Sequence, residues 1–114
     1  MKSFFSLKEI LTKRLATDSP YLEFLRVPAM SSGVYVLSPG AKDAQTPHAE
    51  DEIYFVVAGS ARMNVHQTNG EALDREVAAG DLIYFPAHQE HRFHSITAAL
   101  VLLVIFAPAE SLPG

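Results

Sequence analysis

The sequence predicts an all-β protein, a sandwich or barrel of short antiparallel strands preceded by one helix. Three observations lead there. Short runs rich in aromatic and branched residues recur from Tyr21 to Phe106, Gly, Pro and Asn-Gly pairs punctuate them, and helical periodicity is confined to the amino terminus. The alternation of strands with long helical patterns that marks βαβ units does not occur.

The helix comes first. Ser6-Leu7-Lys8-Glu9 has the form of a capping box, with Phe5 and Ile10 where a hydrophobic staple would put them. Leu7, Ile10, Leu11 and Leu15 form one stripe at helical spacing, which predicts a helix over about residues 7–16, ended by Asp18-Ser19-Pro20. It is read as covering one end of a core; binding a partner chain or a membrane are the alternatives.

Strands follow. Residues 21–27 and 34–37 are the first runs, separated by Pro28 and Gly33. Residues 53–58 form another, after which Gly59 permits a bend. Ala61, Met63 and Val65 then alternate with Arg62, Asn64 and His66, the pattern of a strand with one wet face. Asn69-Gly70 is the strongest hairpin signal, because both residues accept the positive φ of a tight turn. Runs at 73–77, 82–85, 92–96 and 99–106 complete the set, with turns at Gly80-Asp81 and Pro86-Ala87.

Composition narrows the function. The 114 residues suit one domain, and a net charge of −4 argues against a nucleic-acid or anionic-membrane surface. The absence of cysteine removes disulfides, thiolate nucleophiles and thiolate metal sites. The amino terminus is broken by Lys8, Glu9, Lys13 and Arg14 and has no signal-like apolar core. The most apolar stretch, residues 98–107, is half the length of about 20 that a membrane-spanning helix needs. A soluble cytoplasmic protein is therefore the expectation.

Chemistry would come from two His/carboxylate clusters. His48 lies in Gln45-Thr46-Pro47-His48-Ala49-Glu50-Asp51-Glu52, just before one strand, and His91 lies just after another. Two imidazoles and a carboxylate facing each other would suit iron, manganese, nickel or zinc. The plainer alternative is that turn-rich loops simply collect such residues.

The spacing of these clusters resembles the two signatures of small single-domain cupins. Gly40, His48, Glu52 and Gly59 follow the first, with three residues between His48 and Glu52 and six between Glu52 and Gly59. Gly80, five residues, Pro86 and then His91 follow the second. The resemblance covers about residues 34–107 and implies an antiparallel jelly-roll β-barrel with a short amino-terminal helix, one cupin domain over 1–114. It also implies a divalent metal held by His48, Glu52 and His91, and a homodimer. The sequence departs from the family where Thr46 replaces the first histidine of a His-x-His pair, and where His88 and Ser95 replace a glycine and an asparagine. Gln45 is preferred to Thr46 as a fourth ligand, since a neutral hydroxyl is a poor donor to divalent metals.

Around this set, Tyr54 shares the side of Glu52 and Phe93 that of His91, so Thr46, Tyr54, Phe93 and His94 are read as pocket residues. Strict alternation turns His94 to the opposite face unless a bulge intervenes. Glu52 has the alternative of pairing with Arg62 or Arg92. His66 and His88 are expected at the surface, and Arg92 there too unless it recognises a carboxylate. Three functions stay open: a metal-dependent enzyme on a small organic molecule, such as a dioxygenase or isomerase; a non-catalytic binding or sensing barrel; and a structural or partner-binding relic.

Overall fold

A computed structural model describes residues 2–43 and 47–111. Helix α1 spans Leu7–Leu15, and the Ser6 side chain accepts a hydrogen bond from the Glu9 amide at 3.3 Å. Among the described residues six strands follow: β1 Tyr21–Val27, β2 Met30–Leu37, β3 Asp51–His66, β4 Ala72–Ala78, β5 Leu82–Phe85 and β6 His91–Ala107. All pairings are antiparallel, in the order β1-β2-β6-β3-β4, with β5 also on β3. The β3–β4 hairpin turns at Gly70, whose φ is 87°. Among the described residues no helix is long and apolar enough to cross a membrane.

Two pairs of expected strands fuse. Residues 53–58 and 61–65 form one 16-residue strand, β3, and residues 92–96 and 99–106 form one 17-residue strand, β6. Both strands bend without breaking, and the bend changes which side-chain parity faces inward. In β3, Glu52, Tyr54 and Val56 are buried before the bend, and Ala61 and Met63 after it. In β6, His91 and Phe93 are buried first, then Ile96, Leu100, Leu102, Val104 and Phe106. Register shifts between Val56 and Arg62, together with Ser95 at φ 51°, absorb the extra residues. The apolar residues of both halves thus meet in one core.

The closed jelly-roll barrel is corrected by this topology: the sheet is open. The terminal strands of the path, β1 and β4, do not pair with each other. The described residues of segment 38–50 form loop beside the free edge of β6, touching it through the Gly40 amide on the Ile96 carbonyl at 3.2 Å. Pro39 and Pro47 lack the N–H groups a ladder strand there would need.

Gly59 is the tightest point of the bend. Its φ is 94°, and a Cβ there would overlap the Ala99 carbonyl. Gly59→Ala therefore combines backbone strain with a clash against main chain, and should lower unfolding free energy by about 2–4 kcal/mol in urea titrations. A change below about 0.5 kcal/mol, the range of neutral surface substitutions, would show that β3 bends by another route.

Candidate functional site

The inward row across the first half of the sheet is Phe85, Glu52 and Phe106, opposite one another on β5, β3 and β6. Glu52 is thus set between two aromatic rings by strand register alone. The Phe85 ring stacks on that of His91, with centroids 3.8 Å apart and planes 5° from parallel. His91 Nε2 lies 3.1 Å from Glu52 Oε1, and both side chains are almost fully buried, at 3% and 2% exposure.

The orientation of His91 follows from its neighbours. Its Nδ1 lies 3.0 Å from the Gln89 carbonyl, which only accepts, so Nδ1–H is the donor. Nε2 then faces Glu52 and the Tyr54 hydroxyl, 3.3 Å away. Despite that proximity neither Glu52 oxygen has an aligned hydrogen-bond partner among the described residues. The Tyr54 ring also packs against Phe93, with centroids 5.3 Å apart.

His48 meets a different acid. Its Nδ1 lies 3.1 Å from Glu110 Oε2, and its ring packs on Phe106 at 4.7 Å. The Glu110 carboxylate raises the His48 pKa above its ordinary value against the opposing effect of burial. A cavity of about 160 Å³ lies here, walled by Tyr21, Tyr35, His48, Phe106 and Glu110. The buried Tyr21 hydroxyl lacks a hydrogen-bond partner, and burial first, then Glu110, pushes its pKa up.

The expected site is therefore brought together in part. Glu52, His91, Tyr54 and Phe93 converge, and Glu52 pairs with neither Arg62 nor Arg92. Gln45 and Thr46 lie outside the described residues. His94 faces the opposite side of the sheet, where its Nε2 lies 2.5 Å from Asp74. That acid also accepts from Arg62 at 2.6 Å. His94 first, then Arg62, lowers the Asp74 pKa to about 2. Parity had pointed His94 outward, and the bulge at Ser95 comes one residue too late to reverse it.

Sequence reasoning missed three participants. Glu110 follows the last strand in a segment with no pattern of its own. Asp43 is a buried acid that accepts from the Tyr35 hydroxyl and the Phe93 amide, each at 3.0 Å, and ties the loop to β2 and β6. Phe85 could have been found, since period-two alternation in β5 sets it inward with Ile83. A larger cleft, of about 300 Å³, opens between β4 and β5 and is lined by Met63, Val65, Arg75, Ile83 and Phe85. Phe85 is its shared wall with the Glu52–His91 pair.

As a donor set for a metal, these residues fit in part. Glu52 has two buried oxygens without hydrogen bonds, and His91 is anchored through Nδ1 in the way metal-ligating histidines are. The third donor does not join them: among the described residues no group of three His, Asp or Glu stands close enough to hold an ion.

The chain belongs to the cupins: the Cupin domain family model matches residues 33–106. An uncharacterized Streptomyces coelicolor protein is 45% identical over 107 residues, covering 94% of this chain and 97% of that protein. Bacillus subtilis oxalate decarboxylase is 31% identical over 70 residues, 61% of this chain and 18% of the enzyme. The solved structure of a single-substitution variant of that enzyme superposes with a TM-score of 0.67 at 28% identity, covering 71% of this chain and 22% of that one. The chain thus spans about a fifth of that enzyme. The DMSP lyase DddQ of Ruegeria pomeroyi, at 21% identity and a TM-score of 0.63, shares the fold.

Two outcomes test this geometry. His91→Ala removes the imidazole beside the buried Glu52 and should cost about 3–5 kcal/mol, whereas Glu52→Gln, which keeps the shape and adds a donor, should cost about 1 kcal/mol or less. Urea denaturation of both variants measures the difference. On the outer face, a depressed Asp74 pKa stabilises the fold above the ordinary carboxylate value and is lost as pH falls toward about 2. The melting temperature of wild type should exceed that of Asp74→Asn at pH 5, and the gap should close between about pH 4 and pH 2.

Proposed function

We propose that this cupin is a non-catalytic small-molecule-binding protein, in which the positions expected to ligate a metal pair with local partners and the ligand is held in a neighbouring cleft. The observation that carries the reading is how the donors are used: Glu52 and His91 face each other, and His48 faces Glu110. The β4–β5 cleft supplies a place for a ligand. Its volume lies at the lower end of the range for small-molecule sites, and Met63, Val65, Ile83 and Phe85 give it apolar walls.

A second reading is favoured by the unpartnered Glu52 oxygens. Here Glu52 and His91 hold a divalent metal, iron, manganese, nickel or zinc, and His48 turns from Glu110 to complete the set, with Gln45 as a further candidate. Bound there, the metal would supply Lewis-acid polarisation of a substrate oxygen. The sequence similarity to oxalate decarboxylase, which carries Mn(II) centres in Bacillus subtilis, also supports this reading. Tyr54 and Phe93 would then close the apolar side of the site.

We further infer a homodimer. On the outer face Ile53 lies opposite Tyr84 and Phe55 opposite Leu82, and all four are exposed, Leu82 at 71% and Tyr84 at 59%. They flank the free edge of β5, so a second copy covers apolar surface and an open strand edge together.

Metal analysis of protein purified without an affinity tag separates the first two readings. The binding reading expects substoichiometric metal and an unchanged melting temperature after incubation with each of the four ions. A bound metal at about 1,000 times its dissociation constant would instead add about 4 kcal/mol, and His91→Ala would abolish that gain. For the dimer, sedimentation of wild type should give twice the chain mass, and Phe55→Asp should give the single chain. A monomeric wild type at tens of micromolar, roughly the range reached by even weak specific interfaces, would remove it.

A further inference from the structure

We infer that the β4–β5 cleft selects small organic carboxylates, compounds with one carboxylate on an aromatic or branched aliphatic body, and that Arg75 is the residue that reads the charge. This deepens the binding function proposed above and rests on it.

The argument begins with parity on β4. Leu73, Arg75 and Val77 lie opposite Val65, Met63 and Ala61 of β3, of which Met63 and Ala61 are buried. Arg75 is thus a guanidinium in the middle of an otherwise apolar inward row. The acids on either side of it in sequence, Asp74 and Glu76, belong to the opposite face. There both are taken by Arg62, at 2.6 and 3.5 Å. One acid does line the cleft with Arg75, Asp81, and its Oδ2 accepts from the Ala78 amide at 2.8 Å. Among the described residues, the Arg75 guanidinium makes no ion pair or hydrogen bond.

A charge in that setting wants an anion. Arg75 is exposed at the cleft and free to meet a ligand, and a guanidinium presents two parallel N–H groups that match the two oxygens of a carboxylate. The walls choose the rest of the ligand. Met63, Val65, Ile83 and Phe85 offer contact to an apolar body, and among the described residues no second cation lines the cleft to hold a dicarboxylate. The cleft is distinct from the Glu52–His91 pair, neither residue of which lines it.

The test is a titration of the ¹⁵N-labelled full chain, at fixed ionic strength, with benzoate and 4-methylpentanoate and with the matched neutral benzamide and 4-methylpentanamide. Saturable amide shifts at Met63, Val77 and Phe85 are expected with the two acids, and binding about tenfold weaker or more with the amides. Arg75 is exposed, so its variants should fold, which circular dichroism checks. Arg75→Gln should weaken the acids to the level of the amides, Arg75→Lys should restore part of the loss, and Arg92→Gln on the outer face should leave binding unchanged. Equal binding of acids and amides, or loss on Arg92→Gln with none on Arg75→Gln, overturns the carboxylate assignment while the cleft remains a binding site. Absence of saturable shifts with all four probes overturns both the assignment and the binding function it rests on.

Discussion

The pairing of β3 with β6 is the constraint on which the molecule depends. These two long strands run antiparallel over most of their length, and every other strand attaches to one of them or to a strand that does. Their common bend turns one ladder into both walls of the core. The bend works only because both strands switch inward parity, one through register shifts around Gly59 and the other at Ser95. A switch in one strand alone would aim half of its side chains at solvent. Tyr54, Phe93, Leu100 and Leu102 are buried together as a result.

The same ladder decides what the interior acids do. Glu52 falls inward because it shares the parity of Tyr54 and Val56, and a buried carboxylate left to itself is costly by several kcal/mol. His91 answers it only in part, being close but poorly aligned for a hydrogen bond. His48 is brought up by the loop before β3 and meets Glu110 from the segment after β6. Two acid–imidazole pairs, on either side of Phe106, therefore replace one convergent cluster in the described residues. The local partners of these residues account for how they are held.

Much of this was legible in the sequence, for local reasons. The capped helix, β1, β5 and the Asn69-Gly70 turn rest on neighbouring residues, and the structure has them where the pattern put them. What failed was non-local. Residues 53–58 and 61–65 read as separate strands on either side of a bend at Gly59, yet pairing to β6 on both sides carries β3 through that bend. The sheet is open because β1 and β4, at the ends of the path, do not pair, against the expectation of a closed barrel. In the site, Glu52 and His91 were visible from spacing, whereas Glu110 had no signal and Gln45 and Thr46 fall outside the described residues. Arg75, the basic residue that lines the cleft, alternates with Leu73 and Val77, a pattern that puts it on the apolar side of β4.

The brevity of β5 has a consequence for motion. Within a single chain, four residues paired on one side only make it the strand whose separate opening disturbs least of the sheet, while β3 and β6 stay joined. Lifting β5 would carry Phe85 away from the His91 ring and strip the cover from Glu52 without melting the core. Amide exchange would then show β5 protected less than its neighbours. Solvent and small molecules would reach the interior by this hinged panel, at a rate set by a handful of hydrogen bonds and not by global unfolding.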